Sequence, residues 1–200
     1  MKICKSRTVA FPIEIKIDDK FLEVKSELTI LGVILTPNLK WNSNTKFICK
    51  KAFKSLWSIR RMKKLGLDIF SLVDYYIKEV RVHLELAVPV WHSGLTKKLT
   101  ADIERVQRIA IGVILDKAVL HYAQDCALIG LKPLYIRRVE LCERFAAKTA
   151  KTGRHMDMFE LLKDGYHYTR SNDDDYREHI CKKSRFFNSP LPYLTRLLNH

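Results

Sequence analysis

The stretch that decides the fold is residues 45–65, TKFICKKAFKSLWSIRRMKKL. Its apolar side chains recur at steps of four and three, which is the spacing of one face of an α-helix. They are Ile48, Ala52, Leu56 and Ile59. Gly66 follows at once and is typical of the residue that ends a helix. The stretch therefore predicts an amphipathic helix with one face in a core.

The same helix carries an unbalanced positive charge. Between Lys40 and Lys64 nine residues are Lys or Arg and none is acidic. At 100° per residue, five of them fall within about 80° of one another. We call these five the basic stripe: Lys46, Lys50, Lys54, Arg61 and Lys64. Because Phe53 and Trp57 lie beside it, the stripe predicts contact with a sugar–phosphate backbone, with rings available for stacking.

Three other interpretations of this helix stay open. A row of lysines on an amphipathic helix is commonly a solvated outer face. Phe53 and Trp57 are residue types found more often in a core than on a stacking surface. An anionic membrane surface would attract the same charges.

Residues 9–35 carry the strand-like patterns of the chain, in four short segments. These are Val9–Phe11, Glu14–Ile17, Phe21–Val24 and Leu28–Leu35. Asp18-Asp19 is typical of a turn between the second and third segments. Gly32, inside the last apolar run, predicts a bulge or a close backbone approach. We expect three or four short antiparallel strands here.

Helical patterns follow. A second helix is expected from an N-cap at Asp68 to Pro89, with an apolar row of Phe70, Val73, Ile77, Val80 and Leu84. A third should open at Thr96 or Thr100 and turn Ile103, Val106, Ala110 and Val113 inward. A shorter helix should end at Gly130, and a further one should have Pro133 at its first position and run to about Lys151.

The predicted fold class is α+β: a short antiparallel β hairpin region at the N-terminus, followed by a mostly α-helical body. An incomplete sheet of this kind would have an exposed edge. The tail from Lys163 lacks periodicity and contains Asp173-Asp174-Asp175 and Ser189-Pro190-Leu191-Pro192, so irregular structure is expected there.

Composition limits the class of protein. With 200 residues, 47% of them hydrophobic, the chain can form one domain with a core, or a small domain with an extension. A net charge of +14 favours a polyanionic partner. Five scattered cysteines, no signal sequence and no apolar run of about 20 residues predict an intracellular protein, in cytoplasm or nucleus, without a membrane span.

The sequence contains no pattern of an enzyme active site or a metal site. Asp18-Asp19 is better explained by turn chemistry, and the acidic run at residues 173–175 by solvation. His155, His167, His179 and Cys181 do not match the ligand spacing of a zinc module. Neither glycine-rich phosphate-binding motif is present. We therefore predict no catalytic and no metal-ligating residues.

Five ordered segments resemble the reverse transcriptases of jockey-like non-LTR retrotransposons. Leu31-Gly32-Val33-Ile34-Leu35 with Leu39-Lys40-Trp41 resembles "LGV-x-L-x-x-x-L-x-W" in that family. Val88-Pro89-Val90-Trp91 with Gly94-Leu95-Thr96 resembles "PVW-x-x-GLT", and residues 103–107 resemble "IERVQ". Leu131, Leu134, Arg137-Arg138 and Leu141-Cys142 resemble "L-x-x-L-x-x-RR-x-x-LC". Residues 189–199 resemble the family's C-terminal end.

The resemblance implies a role for each part. Residues 1–38 would be the end of the palm with a primer-grip-like hairpin, 39–115 a thumb-like helical region, 116–162 further helices, and 163–200 an irregular tail. Lys5 would lie near the incoming nucleotide's phosphates. Leu31, Gly32 and Val33 would be the primer-grip-like residues. The basic stripe, with Trp57, would hold the template–primer duplex.

The family's catalytic "Y-x-D-D" motif does not occur in the sequence. We therefore expect no polymerase activity and no cofactor in this chain, although the full-length family uses Mg²⁺, and we expect the upstream polymerase segment to be missing. The leading hypothesis is a reverse transcriptase fragment that retains nucleic-acid binding. The alternatives are a non-enzymatic helical interaction module and a non-functional product of a degenerate element.

Overall fold

A computed structural model describes residues 16–17, 20–21, 23, 25–154, 156–159, 176, 178, 181 and 184–199. The described strands form two antiparallel hairpins: β1 (Lys16–Ile17) with β2 (Lys20–Phe21), and β3 (Leu28–Ile30) with β4 (Val33–Leu35). A mostly helical body follows, which confirms the α+β class. Val9–Phe11, predicted as a strand, lies outside the described residues.

The helical body is built from nine α-helical segments in the described residues. They are α1 (Asn42–Lys64), α2 (Ile69–Tyr75), α3 (Val82–Glu85), α4 (Val88–Trp91), α5 (Lys97–Leu115), α6 (Tyr122–Leu128), α7 (Leu134–Thr152), α8 (Ser184–Phe187) and α9 (Pro190–Leu198). A π-helical segment, Tyr76–Arg81, joins α2 to α3, and 3₁₀ turns occupy His92–Gly94 and Met156–Met158.

The apolar run Leu28–Leu35 is a hairpin rather than the single strand that its residue pattern predicts, and a hairpin is what the resemblance implies at Leu31, Gly32 and Val33. Leu31 and Gly32 form its turn with φ angles of +46° and +83°. Two consecutive positive φ angles match the two-residue turns that follow the twist of a hairpin. The expected close approach at Gly32 is confirmed, because a Cβ there would lie 3.0 Å from Leu86 Cδ2.

Helix α1 buries the predicted apolar face: Ile48, Ala52, Leu56 and Ile59 are all at most 2% exposed. It ends as predicted at Gly66, whose φ is +82°. The N–H of Gly66 donates to Lys63 O and that of Leu67 to Met62 O, which is the Schellman pattern.

The second predicted helix differs in its buried row and in its end. Asp68 is the N-cap, with the Ser71 N–H donating to its Oδ1 at 3.0 Å. Phe70, expected inside, is 86% exposed. The buried row is Leu72, Tyr76, Val80 and Leu84. Steps of four drift by about 40° each in an α-helix, and the wider π turn offsets that drift.

The end of this helix also corrects the sequence prediction. Ala87, with φ of +52°, breaks the helix after Leu86. Pro89, expected to end it, lies instead in the first turn of α4. A proline is tolerated there because the first N–H groups of a helix have no partner within it.

Helix α5 packs against α1 and α7 packs against α5, and both begin close to where the patterns predicted. Thr96 is the N-cap of α5, accepting from the Leu99 N–H at 3.3 Å. Ile103, Val106 and Ala110 are buried, whereas Ile114 rather than Val113 completes the face. Pro133 precedes the first residue of α7 and is its N-cap rather than its first position, and Gly153 ends the helix at a φ of +63°.

The prediction of an irregular tail is wrong for residues 184–199. They form α8 and α9, and α9 packs against α4 and α7, with Leu194 and Thr195 buried. The Ser-Pro-Leu-Pro sequence has the composition of a loop. Pro190 and Pro192 instead occupy the first turn of α9, where missing N–H groups leave no bond unmade. Residues 160–175 lie outside the described part.

Candidate nucleic-acid interface

The basic stripe lies along the outer face of α1. All five of its side chains are exposed. From Lys46 to Lys64 the stripe is about 27 Å long, at 1.5 Å per residue. None of the five forms an ion pair with any residue that the structure describes. Their charges are therefore available to a ligand.

The two aromatic residues of this face are not in the core. Trp57 is 60% exposed and Phe53 is 40% exposed. Trp57 lies only about 20° around the helix from Lys46, so it belongs within the stripe rather than beside it. The Arg61 guanidinium is 5.3 Å from the centre of the Trp57 ring. The interpretation of Phe53 and Trp57 as core residues is therefore wrong.

One nearby cation has a structural role. Lys63 Nζ donates to Ile114 O at 3.0 Å. That carbonyl belongs to the last turn of α5, where helix carbonyls lack partners and a positive charge is favoured. Lys63 therefore holds the end of α5 against α1 and is a poor candidate for ligand contact.

A cleft of about 520 Å³ opens between α1 and α5 next to the first half of the stripe. Its lining on α1 is Asn42, Thr45, Lys46, Cys49, Lys50 and Phe53, and on α5 it is Leu99, Asp102 and Arg105. Burial raises the pKa of the Cys49 thiol to about 11, so this wall carries no thiolate at neutral pH. The sequence motif that contains Arg105 does not indicate that this side chain lies across the cleft from Lys46 and Lys50.

The primer-grip-like residues lie apart from the stripe. Leu31, at the hairpin tip, is 93% exposed, whereas Val33 is 7% exposed and packs in the core. The Ile34 N–H donates to Asn44 Oδ1 at 3.1 Å, which fixes β4 to the first turn of α1. Asn44 lies about 160° around α1 from Lys46. The described contacts therefore do not bring the hairpin and the stripe to one face, and Lys5 lies outside the described residues.

Most of the motif residues form internal contacts. Gln107 accepts from the Tyr76 hydroxyl at 2.6 Å and donates to Lys132 O at 2.9 Å. Arg137 donates to both carboxylate oxygens of Glu85, at 2.7 and 2.9 Å. These polar groups join α3, α5 and α7 and the π-helical segment. Their role is to position helices rather than to contact a ligand.

The same holds for the two tryptophans of the motifs. Trp91 is buried, and its Nε1 donates to Leu86 O at 2.8 Å. Trp41 is 5% exposed and packs against Gly94, where an added Cβ would lie 2.4 Å from Trp41 Nε1. The motif residues thus mark contacts between segments distant in sequence.

Among the described residues, no three His, Cys, Asp or Glu side chains come together as a metal-binding group. The Asp18-Asp19 turn, the acidic run and the three histidines at 155, 167 and 179 lie outside that part of the chain. Of the helices described, none is both long and apolar enough to cross a membrane.

Comparisons with protein-family models, with curated proteins and with solved structures gave no match. The resemblance to reverse transcriptases therefore remains a prediction from the sequence motifs.

Proposed function

We propose that this chain binds a nucleic-acid duplex, without sequence preference, through the basic stripe of α1. The observation that carries the proposal is a row of five exposed cations about 27 Å long, with Trp57 within it. None of the five cations forms an ion pair with an acid in the described part of the chain. The row is about as long as eight base steps at 3.4 Å each.

Physical reasons favour the backbone rather than the bases as the target. Lysine and arginine neutralise phosphates and release condensed counterions, which supplies affinity without reading sequence. The five cations lie on an exposed helix face, where they can meet phosphates without reading base edges. Exposed Trp57 adds a ring that can pack against sugar or base.

Within the reverse transcriptase hypothesis, residues 39–115 serve as the thumb that holds a template–primer duplex. Polymerisation needs carboxylates that hold two divalent ions about 3.5–4 Å apart. The sequence lacks the motif that would supply them. The proposed activity of this chain is therefore binding and not catalysis.

The experiment is a fluorescence-anisotropy titration of a labelled 16-base-pair RNA–DNA hybrid at low salt. The test variant, Lys54→Gln/Arg61→Gln/Lys64→Gln, removes three stripe charges. The matched control, Arg144→Gln/Lys148→Gln/Lys151→Gln, removes three exposed charges from α7. We expect the first variant to weaken binding at least tenfold and the second to change it by less than threefold. Equal losses, or no binding by the unchanged protein, would overturn the proposal.

A second candidate is binding to an anionic membrane surface, the interaction-module alternative. The observation that favours it is a pair of exposed apolar residues on either side of the α1–α2 turn: Leu65, directly after Lys64, is 74% exposed, and Phe70, in the first turn of α2, is 86% exposed. Basic and apolar residues at one helix end are typical of interfacial binding. Flotation with vesicles containing phosphatidylserine tests it. Binding that is lost in Leu65→Ser/Phe70→Ser, with no affinity for the hybrid, would favour this function.

A further inference from the structure

We propose that the cleft between α1 and α5 receives the unpaired end of a nucleic-acid strand whose paired part lies along the basic stripe. This rests on the proposed function and adds a second element to it. The stripe would hold the duplex backbone, and the cleft would hold one to three unpaired nucleotides.

The position of the cleft makes it an extension of the stripe. Cys49 Sγ donates to Asp102 O at 3.9 Å and Lys63 Nζ to Ile114 O at 3.0 Å, so α1 and α5 run in parallel. The cleft occupies the first half of α1, from Asn42 to Phe53. Lys54, Arg61 and Lys64 continue the stripe beyond it. A strand that follows those three cations therefore reaches the cleft at its Phe53 end.

The lining suits a nucleotide. Lys46 and Lys50 on one wall and Arg105 on the other supply three cations, against one acid, Asp102, among the described lining residues. Phe53, 40% exposed, offers a ring on which any base can stack. The volume of about 520 Å³ falls within the roughly 300–1,000 Å³ typical of small-molecule sites.

The far end of the cleft has features of an anion site. Thr45 is 2% exposed, and its hydroxyl finds no hydrogen-bond partner among the described residues. A buried hydroxyl without a partner is costly, and a ligand oxygen would satisfy it. Here α1 begins, with no side-chain cap and no acid of its own in its first turn, although Ser43 Oγ donates there to the Glu27 carboxylate. The N-terminus of such a long helix favours a phosphate.

The dimensions select a single strand. Two packed helices lie about 8–10 Å apart. The cleft of about 520 Å³ between them has the volume of a small-molecule site, which admits an unpaired nucleotide but not a duplex. The floor of the cleft is apolar, because it is formed by the side chains of Cys49 and Leu99, which are each 8% exposed. Paired bases would stay outside, on the stripe.

The test compares a blunt 16-base-pair hybrid with the same hybrid carrying one to three unpaired nucleotides at either end. We expect an overhang at one of the two ends to lower the Kd about fivefold or more, the effect of stacking one base. Arg105→Gln should abolish this gain, which is measured as the ratio of the blunt to the overhang Kd of the same variant. Phe53→Leu should reduce the gain. Arg108→Gln, an exposed charge one turn along α5, should leave the gain intact and serves as the matched control.

A 2-aminopurine at the first unpaired position reports stacking directly, and its fluorescence should change with the unchanged protein but not with Phe53→Leu. Equal affinity for blunt and overhanging hybrids, or a gain that survives Arg105→Gln, would overturn the cleft proposal. Blunt binding that is lost in Lys54→Gln/Arg61→Gln/Lys64→Gln would still support the stripe. Failure of the cleft is thus distinguishable from failure of the proposed function.

Discussion

Arg138 of α7 and Glu104 of α5 form an ion pair inside the core, with Arg138 Nη2 3.2 Å from Glu104 Oε1. The arginine is fully buried, and its Nε and Nη1 have no hydrogen-bond partner among the described residues. Glu104 also accepts from the Tyr122 hydroxyl and from the Leu134 N–H. Burial lowers the pKa of Arg138, and Glu104 opposes that shift. One carboxylate therefore joins α5, α6 and α7.

Replacing Glu104 by glutamine should destabilise the fold strongly. The change leaves the charge of Arg138 buried without compensation, which typically costs about 3–5 kcal/mol. The amide oxygen can still accept from the Tyr122 hydroxyl or the Leu134 N–H. The loss of stability therefore reports mainly the loss of the ion pair. Urea unfolding followed by tryptophan fluorescence measures the free energy of unfolding.

The double variant Glu104→Gln/Arg138→Met separates charge from packing. Removing both charges should restore part of the stability that Glu104→Gln loses, because no uncompensated ion remains. A double variant less stable than Glu104→Gln by the full cost of Arg138→Met alone would show that the pair is not coupled.

Local patterns were enough to predict much of the fold. The row from Ile48 to Ile59 and the cap at Asp68 depend on neighbours in sequence, and both are confirmed. Phe70 was misplaced because the π-helical segment changes the helical period, and a sequence period cannot reveal that. The sequence does not predict helix α9, because a first turn that contains prolines has the same composition as a loop.

The candidate site was predictable only where it lies on one helix. The exposure of the stripe follows from the apolar face opposite to it, since a helix that buries Leu56 must expose Lys54. The cleft needs α5 to run parallel to α1, which depends on tertiary packing. For that reason Arg105 and the partnerless Thr45 hydroxyl were not found from spacing. The role of Lys5 near the phosphates of a nucleotide stays a prediction.

The stability should depend on pH through His92. Burial, followed by the charge of Arg138, lowers the pKa of His92 to about 4. The folded protein keeps this ring neutral while the unfolded chain takes up a proton below about 6.5. Stability from this group is therefore complete above pH 6.5 and is lost as the pH falls toward 4. Between pH 7 and 4.5 the loss should be about 2 kcal/mol.

The variant His92→Phe is the comparison for this prediction. It keeps a ring against Tyr193, whose ring centre lies 5.9 Å from that of His92, and it cannot take up a proton. Its free energy of unfolding should fall less than that of the unchanged protein over the same pH range. Parallel pH profiles for the two proteins would assign the acid sensitivity to carboxylates instead.

Gly94→Ala should test the contact between the two motif segments that contain Trp41 and Gly94. A Cβ at Gly94 would lie 2.4 Å from Trp41 Nε1, and Trp41 is buried, so the ring cannot move freely. Overpacking of this kind costs about 1–3 kcal/mol. Adding Trp41→Phe should relieve it, because the smaller ring lacks the clashing nitrogen. Thermal melts in which Gly94→Ala costs as much stability in the Trp41→Phe background as in the unchanged protein would contradict the contact.

The salt dependence of binding should report how many cations of the stripe contact phosphate. For duplex DNA the logarithm of the binding constant falls with the logarithm of salt concentration by about 0.9 per phosphate neutralised. Contacts from all five cations give a slope of about −4.5, and contacts from the three beyond the cleft alone give about −2.7. Lys54→Gln/Arg61→Gln/Lys64→Gln should make that slope shallower by about 2.7. The α7 control should not alter it. Titrations of a 16-base-pair DNA duplex between 50 and 200 mM salt measure the slope, and a value near zero would show that these five side chains do not meet a sugar–phosphate backbone.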